Sequence, residues 1–363
     1  MRRPRRRRRA GAPGSGGRVL TVAAASASGS GEGVRGRARL LGLLIVLIVT
    51  IGVLSLVTDA QGHPGLDVFG HGALAPELAR TILLEVRLPR ACLALLVGAS
   101  LGLAGAALQG LTRNPLAEPG LIGTSTAAAF GAVLAFYFGL AGASSLGLPL
   151  GGIAGAALAL ALLMRVAGRD RPTATLMLAG MALNALFGAL TALALNLAPN
   201  PFAVTEVVFW MMGSFADRSL AHVVLVAPFL LAGAVLLAAT SRGLDALSLG
   251  EEAAASLGVS LPRLRLLVLA GCGLTVGAAT SVAGVIGFVG LVVPHIMRSL
   301  VGARPSGLLL PSALGGAVLL GGADLLARFF SGTTELKVGV VTAVVGAPFF
   351  LWMLLSERES VSG

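Results

Sequence analysis

Charge is scarce in this sequence. Only 12% of its 363 residues are charged, whereas 56% are hydrophobic. Soluble globular domains carry about 25% charged residues, so this composition excludes an ordinary soluble domain. The chain instead contains apolar runs of the length that crosses a bilayer, which takes about 20 residues.

Lysine is nearly absent. Lys337 is the one lysine of the chain, and it follows Leu336. A phosphate-binding P-loop requires a lysine between a glycine and a serine or threonine, so the chain has no P-loop. If ATP drives its function, ATP and Mg²⁺ bind to another polypeptide. No nucleophile–base arrangement is visible either, and we expect a non-enzymatic protein that binds no cofactor itself.

Cysteine is also rare. The two cysteines, Cys92 and Cys272, both lie within apolar runs. They are expected to be small buried hydrophobic residues, because two cysteines in such runs indicate neither a disulfide framework nor a metal cluster. His63 and His71 lie in a predicted outer loop without cysteines or a carboxylate pattern, so we expect no metal site.

The positive charge is concentrated at one end. The formal net charge is +11, but residues 1–39 hold eleven arginines and one acidic residue, which leaves +1 for the rest of the chain. This distribution indicates a basic tail and not a nucleic-acid-binding surface. Residues 1–37, rich in Arg, Gly and Ser, cannot bury enough apolar surface to fold. We predict a disordered cytoplasmic tail, with contact to anionic membrane lipid as the alternative.

The apolar runs predict the fold class. We expect an all-α polytopic membrane protein with about ten transmembrane helices in a domain of residues 38–357, followed by a short C-terminal tail, 358–363. The predicted spans are about 40–58, 88–110, 120–141, 146–167, 174–197, 220–240, 264–283, 285–300, 309–329 and 338–356.

The number of spans and the arginine bias predict the topology. An even number of spans places both termini on one face. Beyond the tail, the segments predicted to be inside carry more basic residues than those predicted to be outside, as the positive-inside rule expects. Both termini are therefore predicted to be cytoplasmic.

The longest predicted inner segment is Ser241–Arg265. It reads SRGLDALSLGEEAAASLGVSLPRLR and predicts two short helices joined near Gly250. Gly258 suits the end of the second helix, and Pro262 prevents its continuation. Such a segment is longer than most connections, which favours a functional role over a plain connecting loop.

The most distinctive stretch is Arg87–Gly123, RLPRACLALLVGASLGLAGAALQGLTRNPLAEPGLIG. A span with an arginine pair at its start ends in a polar turn broken by Pro115 and Pro119. The stretch closely resembles the signature of the FecCD family of ABC-transporter permeases. Two further blocks resemble the family in the same order, and together the resemblance covers about residues 38–357. The matching positions are Arg87–Arg90, Gln109, Arg113–Ala117, Pro119, Gly123, Gly284–Arg298, Ala323–Arg328, Glu335 and Gly346–Phe350.

The resemblance implies a type II ABC importer permease in a bacterial inner membrane. Such a subunit works as a homodimer with an ABC ATPase dimer and a substrate-binding (lipo)protein. The implied cargo is a ferric chelate, either a siderophore or haem, and cobalamin is the alternative within the family. An ion-coupled secondary transporter is a less favoured alternative, because it would need acidic residues at the bilayer midplane, whereas Asp324 lies near the end of a span and is expected to pair with Arg328 at i+4.

The resemblance also implies roles for particular residues. Arg87, Arg90 and Arg328 would dock the binding protein; the alternative is that they anchor helix ends in lipid headgroups. Asn114, Thr173 and Ala174 would narrow the cytoplasmic gate, although Ala174 replaces a serine of the family pattern and Asn114 could also cap a turn.

Coupling to the ATPase would fall on the two short helices at about 241–262. The residues that the resemblance assigns to this contact are Leu249, Gly250, Glu251, Glu252, Leu257 and Gly258.

Overall fold

The computed structural model describes residues 16–59, 75–167, 172–198, 201–331 and 335–361, with the side chains of the first helix described from Arg35. His63 and His71 lie outside these residues. Residues 1–43 and residues 44–363 form two separate compact units. The first unit contains the beginning of the first helix, and the second contains every other described helix.

The elements of the described residues are helices, and no strand occurs among them. Their bounds are α1 Gly16–Val57, α2 Pro76–Thr81, α3 Leu88–Thr112, α4 Thr124–Tyr137, α5 Leu140–Ala143, α6 Gly147–Ala167, α7 Thr173–Asn196, α8 Pro201–Met211, α9 Leu220–Ala239, α10 Ser241–Leu247, α11 Glu251–Ser256, α12 Leu261–Ala283, α13 Val289–Val301, α14 Pro305–Phe329 and α15 Val338–Val361.

The predicted fold class is confirmed. Each of the ten predicted spans coincides with a helix of the structure. In the part of the chain that the structure describes, seven helical segments are long and apolar enough to cross a membrane, and α4, α13 and the apolar part of α15 are shorter apolar helices. A helix of 13 residues, such as α13, rises about 20 Å at 1.5 Å per residue, so it spans only part of a bilayer.

Two domain boundaries remain predictions. The predicted tail, residues 1–37, falls partly on residues 1–15, outside the described part, and partly on the first turns of α1, whose side chains are described only from Arg35. At the other end, α15 continues to Val361 and so passes position 357, where the sequence predicts the membrane domain to end.

The sequence did not predict the long entry to α3. Residues Pro76–Thr112 form one continuous helical segment of 37 residues, in which a π-helical turn, Ile82–Arg87, joins α2 to α3. The first third of this segment, residues 76–87, was not predicted because Glu77, Arg80 and Glu85 interrupt its apolar pattern. The helix α8 was missed as well, because its 11 residues are too few for a span.

Glycines bring α3 against its neighbours. Gly98 lies against the backbone of Gly316 on α14, and Gly105 lies against the backbone of Gly290 on α13. A Cβ atom at either position would overlap the partner's main chain. In lipid, apolar side chains gain little free energy by moving from lipid into a helix interface. Membrane helices therefore gain packing energy from close approach of their backbones.

The chain breaks between α12 and α13. Gly284, with φ 74°, ends α12, and Phe288, with φ 66°, precedes α13. The Glu118 carboxylate accepts a hydrogen bond from the Phe288 N–H at 2.8 Å. A carboxylate at a helix N-terminus is favourable for both the free N–H groups and the helix dipole. Glu118 therefore fixes the start of α13 against the connection that follows α3.

Candidate functional site: polar networks at the two ends of α14

The first network surrounds Asp324, near the C-terminus of α14. Its carboxylate accepts hydrogen bonds from two guanidinium groups. Arg90 Nε and Nη2 lie 3.0 and 2.9 Å from Oδ1, and Arg328 Nε and Nη2 lie 3.0 and 2.7 Å from Oδ2. The predicted i,i+4 pair between Asp324 and Arg328 is confirmed.

Arg328, together with Arg87, also closes the C-terminus of α1. Arg328 donates to the Ser55 carbonyl at 3.0 Å and to the Ser55 hydroxyl at 2.7 Å, and Arg87 donates to the Leu56 carbonyl at 2.7 Å. The last carbonyls of a helix have no partner within the helix, and cations near them are favourable. Arg87 and Arg328 thus cap α1.

Glu335 extends this network toward α15. Its Oε1 accepts from the Ser214 hydroxyl at 2.8 Å and lies 3.3 Å from Arg90 Nη2, while its Oε2 accepts from Lys337 Nζ at 2.7 Å. The network therefore joins α3, α14, the segment before α15 and the connection between α8 and α9.

The structure brings the three predicted docking residues together but buries them. Arg87, Arg90 and Arg328 are 7%, 8% and 2% exposed, and Asp324 is 1% exposed. Arginines that only anchored helix ends in headgroups would extend toward water. Instead, these guanidinium groups donate hydrogen bonds to carboxylates and carbonyls of the same chain. A carboxylate of another protein would have to displace one of these internal acceptors.

The second network lies at the N-terminus of α14. Asp245 on α10 accepts from the Ser306 N–H at 2.8 Å and from Arg304 Nε at 2.7 Å. Burial acts to raise the pKa of Asp245, but the hydrogen bonds from Ser306 and Arg304 outweigh it, and the pKa lies below its ordinary value. Asp245 therefore caps α14 from another helix.

The predicted coupling residues lie around α11. Gly250, with φ 112°, precedes this helix, and Gly258, with φ 82°, follows it, which explains glycine at both positions. Leu249 and Leu257 are 70% and 64% exposed. Along the chain they lie on either side of α11, which begins with the exposed Glu251 and Glu252.

The predicted gate residues are divided between two places. Thr173 is the first residue of α7, and its hydroxyl accepts a hydrogen bond from Arg265 Nε at 3.0 Å; its neighbour Ala174 is exposed. Asn114 follows α3, and its side chain accepts from the Leu116 N–H at 2.9 Å in a local turn. Among the described residues, no hydrogen bond joins Asn114 to Thr173.

Asn114 lies beside the coupling segment. A cavity of about 210 Å³ is lined by Asn114, Gln109, Arg298 and Ser248, which follows α10. Gln109 accepts from Arg298 Nη2 at 2.9 Å, so the end of α3 is tied to the end of α13. The proposed gate turn and the coupling segment therefore border one space.

Sequence reasoning assigned no role to Arg265, Asp245 or Glu118. The available signal for Arg265 was a basic residue within the first turns of a span, where a charge is costly unless it is paired. The partners of all three lie in other elements of the fold, which a linear pattern does not reveal.

The fold and its comparisons define the class of this protein. It is a polytopic membrane protein with the architecture of an ABC importer permease. It superposes with a TM-score of 0.78 and 34% identity on the solved structure of a metal-chelate type ABC transporter in an inward-facing conformation, over 88% of this chain and 99% of that one.

The chain belongs to the FecCD transport family, whose family model matches residues 37–356. The family that the sequence resembles is thereby confirmed. A relative in Bacillus subtilis, the ABC transporter permease protein YvrB, is 39% identical over 77% of this chain and 80% of its own length.

Two other relatives are named as permeases of cobalamin or vitamin B12 import systems. The cobalamin import system permease protein BtuC of Halobacterium salinarum is 41% identical over 78% of this chain and 76% of its own length. The vitamin B12 import system permease protein BtuC of Salmonella typhimurium is 41% identical over 76% of this chain and 84% of its own length.

Proposed function

We propose that this chain is the membrane permease subunit of an importer that takes up a metal chelate and is driven by ATP hydrolysis on a separate subunit. The observation that carries the proposal is family membership across nearly the whole helical domain. The chain has no P-loop lysine, so the nucleotide belongs to a partner.

The ATPase partner is proposed to bind at α11. Two exposed leucines, Leu249 and Leu257, flank this short helix, and their apolar side chains would gain free energy by burial against a partner. Glu251 and Glu252 at its N-terminus add charge that favours a basic partner surface. With this segment inside the cell, both chain termini are cytoplasmic.

The binding protein is proposed to dock at the opposite end of α14, where the network around Asp324 lies. Because its arginines are paired internally, docking acidic residues would exchange with Asp324 or Glu335 on Arg90 and Arg328. Bidentate arginine–carboxylate geometry would fix the register of the docked protein.

A second copy of the chain is proposed to complete the pathway. In an apolar 18-residue stretch of α7, only 22% of the residues are buried within this chain, although the helix begins at the proposed gate. An apolar helix left this open can face lipid or another copy, and a homodimer would place two such helices around one path.

Cobalamin is the first candidate cargo, because relatives at 41% identity are permeases of cobalamin import systems. A ferric chelate, either a siderophore or haem, is the second candidate, and the structural likeness to a metal-chelate type transporter is compatible with both.

Reconstitution tests the function and the cargo together. The permease is placed in proteoliposomes with its cognate ATPase and binding protein, and uptake of cyanocobalamin, haem and a ferric hydroxamate is measured in parallel. We expect ATP-dependent uptake of one of the three, and only with all subunits present. Uptake by this chain alone under an ion gradient, without ATP, would contradict the proposal.

A further inference from the structure

A buried arginine connects the proposed coupling helix to the proposed gate. Arg265, near the start of α12, is 9% exposed. Its Nη2 donates to Glu251 Oε1 on α11 at 2.8 Å, and its Nε donates to the Thr173 hydroxyl on α7 at 3.0 Å. One guanidinium therefore holds the first residue of α11 and the first residue of α7.

The chemistry of this junction requires arginine. The guanidinium group offers separate N–H donors in a fixed planar arrangement, so it can satisfy two acceptors that lie in different directions. A lysine ammonium is a single point on a flexible stem and does not reproduce this geometry. The junction is therefore specific for side-chain shape as well as charge.

The helices that meet here differ in how firmly they are packed. In an apolar 18-residue stretch of α12, 78% of the residues are buried within this chain, whereas in the corresponding stretch of α7 only 22% are buried. Glycines with positive φ bound α11, so it is joined to the chain by turns and not by continuous helix. Arg265 thus lies on the well-buried helix α12 and contacts α7, which is less buried, and α11, which is bounded by glycine turns.

We propose that Arg265 is the positioning residue that transmits the movement of α11 on the ATPase to the N-terminus of α7. This inference rests on the proposed function. Displacement of Glu251 by the partner subunit pulls on the guanidinium, which in turn moves or releases Thr173 at the mouth of the pathway.

The experiment follows the gate directly and needs no knowledge of the cargo. A cysteine replaces the exposed Ala174 in a Cys92→Ser background, while Cys272 is fully buried and is retained. The permease is purified with its cognate ATPase in nanodiscs, and maleimide labelling of the new cysteine is timed with and without ATP. We expect ATP to change the labelling rate by at least about fivefold, the lower end of usual allosteric couplings.

Arg265→Lys is the test variant, and Arg263→Lys is the matched control, because Arg263 is an exposed arginine on the same helix. In Arg265→Lys complexes that co-purify with the ATPase, the ratio of rates with and without ATP should fall to about one, whereas Arg263→Lys should keep it. A purely structural role would change labelling equally with and without ATP.

Thr173→Val gives a second route to the same answer, because it removes one acceptor and preserves the shape of the side chain. It should also abolish the ATP-dependent change. If Arg265→Lys or Thr173→Val keeps the full ratio, the proposed transmission is wrong. If the unaltered complex hydrolyses no ATP, the proposed function fails, and that failure is visible before any variant is compared.

Discussion

At the scale of single residues, the network around Asp324 and the contacts of Arg265 share one arrangement, in which a carboxylate or a guanidinium group bridges two partners. Asp324 bridges Arg90 and Arg328, and Arg265 bridges Glu251 and Thr173. A buried charge is costly unless it is paired and hydrogen-bonded, so each bridge makes its elements depend on one another.

Removal of the Asp324 charge tests this dependence. The variant Asp324→Asn leaves two buried guanidinium groups without their shared carboxylate, and breaking a buried ion pair costs about 3–5 kcal/mol. We expect a clearly lower unfolding temperature in detergent. Glu77→Gln, at an exposed acid on α2, is the control and should change little. Equal unfolding temperatures for the two variants would show that the buried network does not stabilise the fold.

At the scale of elements, α14 is the helix that connects the two networks. Its 25 residues span about 37 Å at 1.5 Å per residue, with Asp245 bound at its first turn and Asp324 near its last. Its middle is held against α3 by glycine contacts. Its position therefore depends on both ends and on the fit along its length.

The fit along α14 can be tested with two alanine substitutions on this one helix. A Cβ at Gly316 would meet the backbone of Gly98, whereas a Cβ at Gly322 would meet no atom within 4 Å. Gly316→Ala should lower the free energy of unfolding by about 1–3 kcal/mol through overpacking. Gly322→Ala should be neutral or should stabilise by up to about 1 kcal/mol, because alanine favours helix. The measurement is thermal unfolding of the purified variants, and destabilisation by both would contradict the assigned contacts.

The link between α10 and α14 should depend on pH. The folded pKa of Asp245 lies below its unfolded value, so the stabilisation by its carboxylate is present above the unfolded pKa of about 3.9 and is lost as the pH falls through the lower folded pKa. Asp245→Asn keeps one acceptor oxygen, but it removes the charge and replaces the second acceptor with an NH2 donor, so one of the two hydrogen bonds from Ser306 and Arg304 is lost. The unaltered protein should therefore be more stable than this variant at neutral pH, and the difference should vanish below the folded pKa. Glu252→Gln, at an exposed acid on α11, is the control and should change the stability little.

At the scale of the whole molecule, the sequence predicted the helical bundle but not the hydrogen bonds between distant elements. Apolar runs are local signals, so every predicted span coincides with a helix. The contact between Arg265 and Thr173 joins positions 92 residues apart, and that between Glu118 and Phe288 joins positions 170 apart. Local patterns do not contain such pairings, because they arise only when the helices pack. For the same reason, the burial of Arg87, Arg90 and Arg328 could not be predicted from their position at span ends.

The ten predicted spans and the distribution of arginines predict the topology. We expect the coupling segment and both termini on the cytoplasmic face and α2 on the opposite face. Single cysteines at exposed positions, Glu252→Cys on α11 and Arg80→Cys on α2, are labelled with a membrane-impermeant maleimide in a Cys92→Ser background. In inside-out vesicles the cysteine at 252 should react and the one at 80 should not, and right-side-out vesicles should give the reverse. If both positions are labelled from the same face, the chain crosses the membrane an even number of times between them. The proposed separation of the ATPase and binding-protein sites would then be wrong.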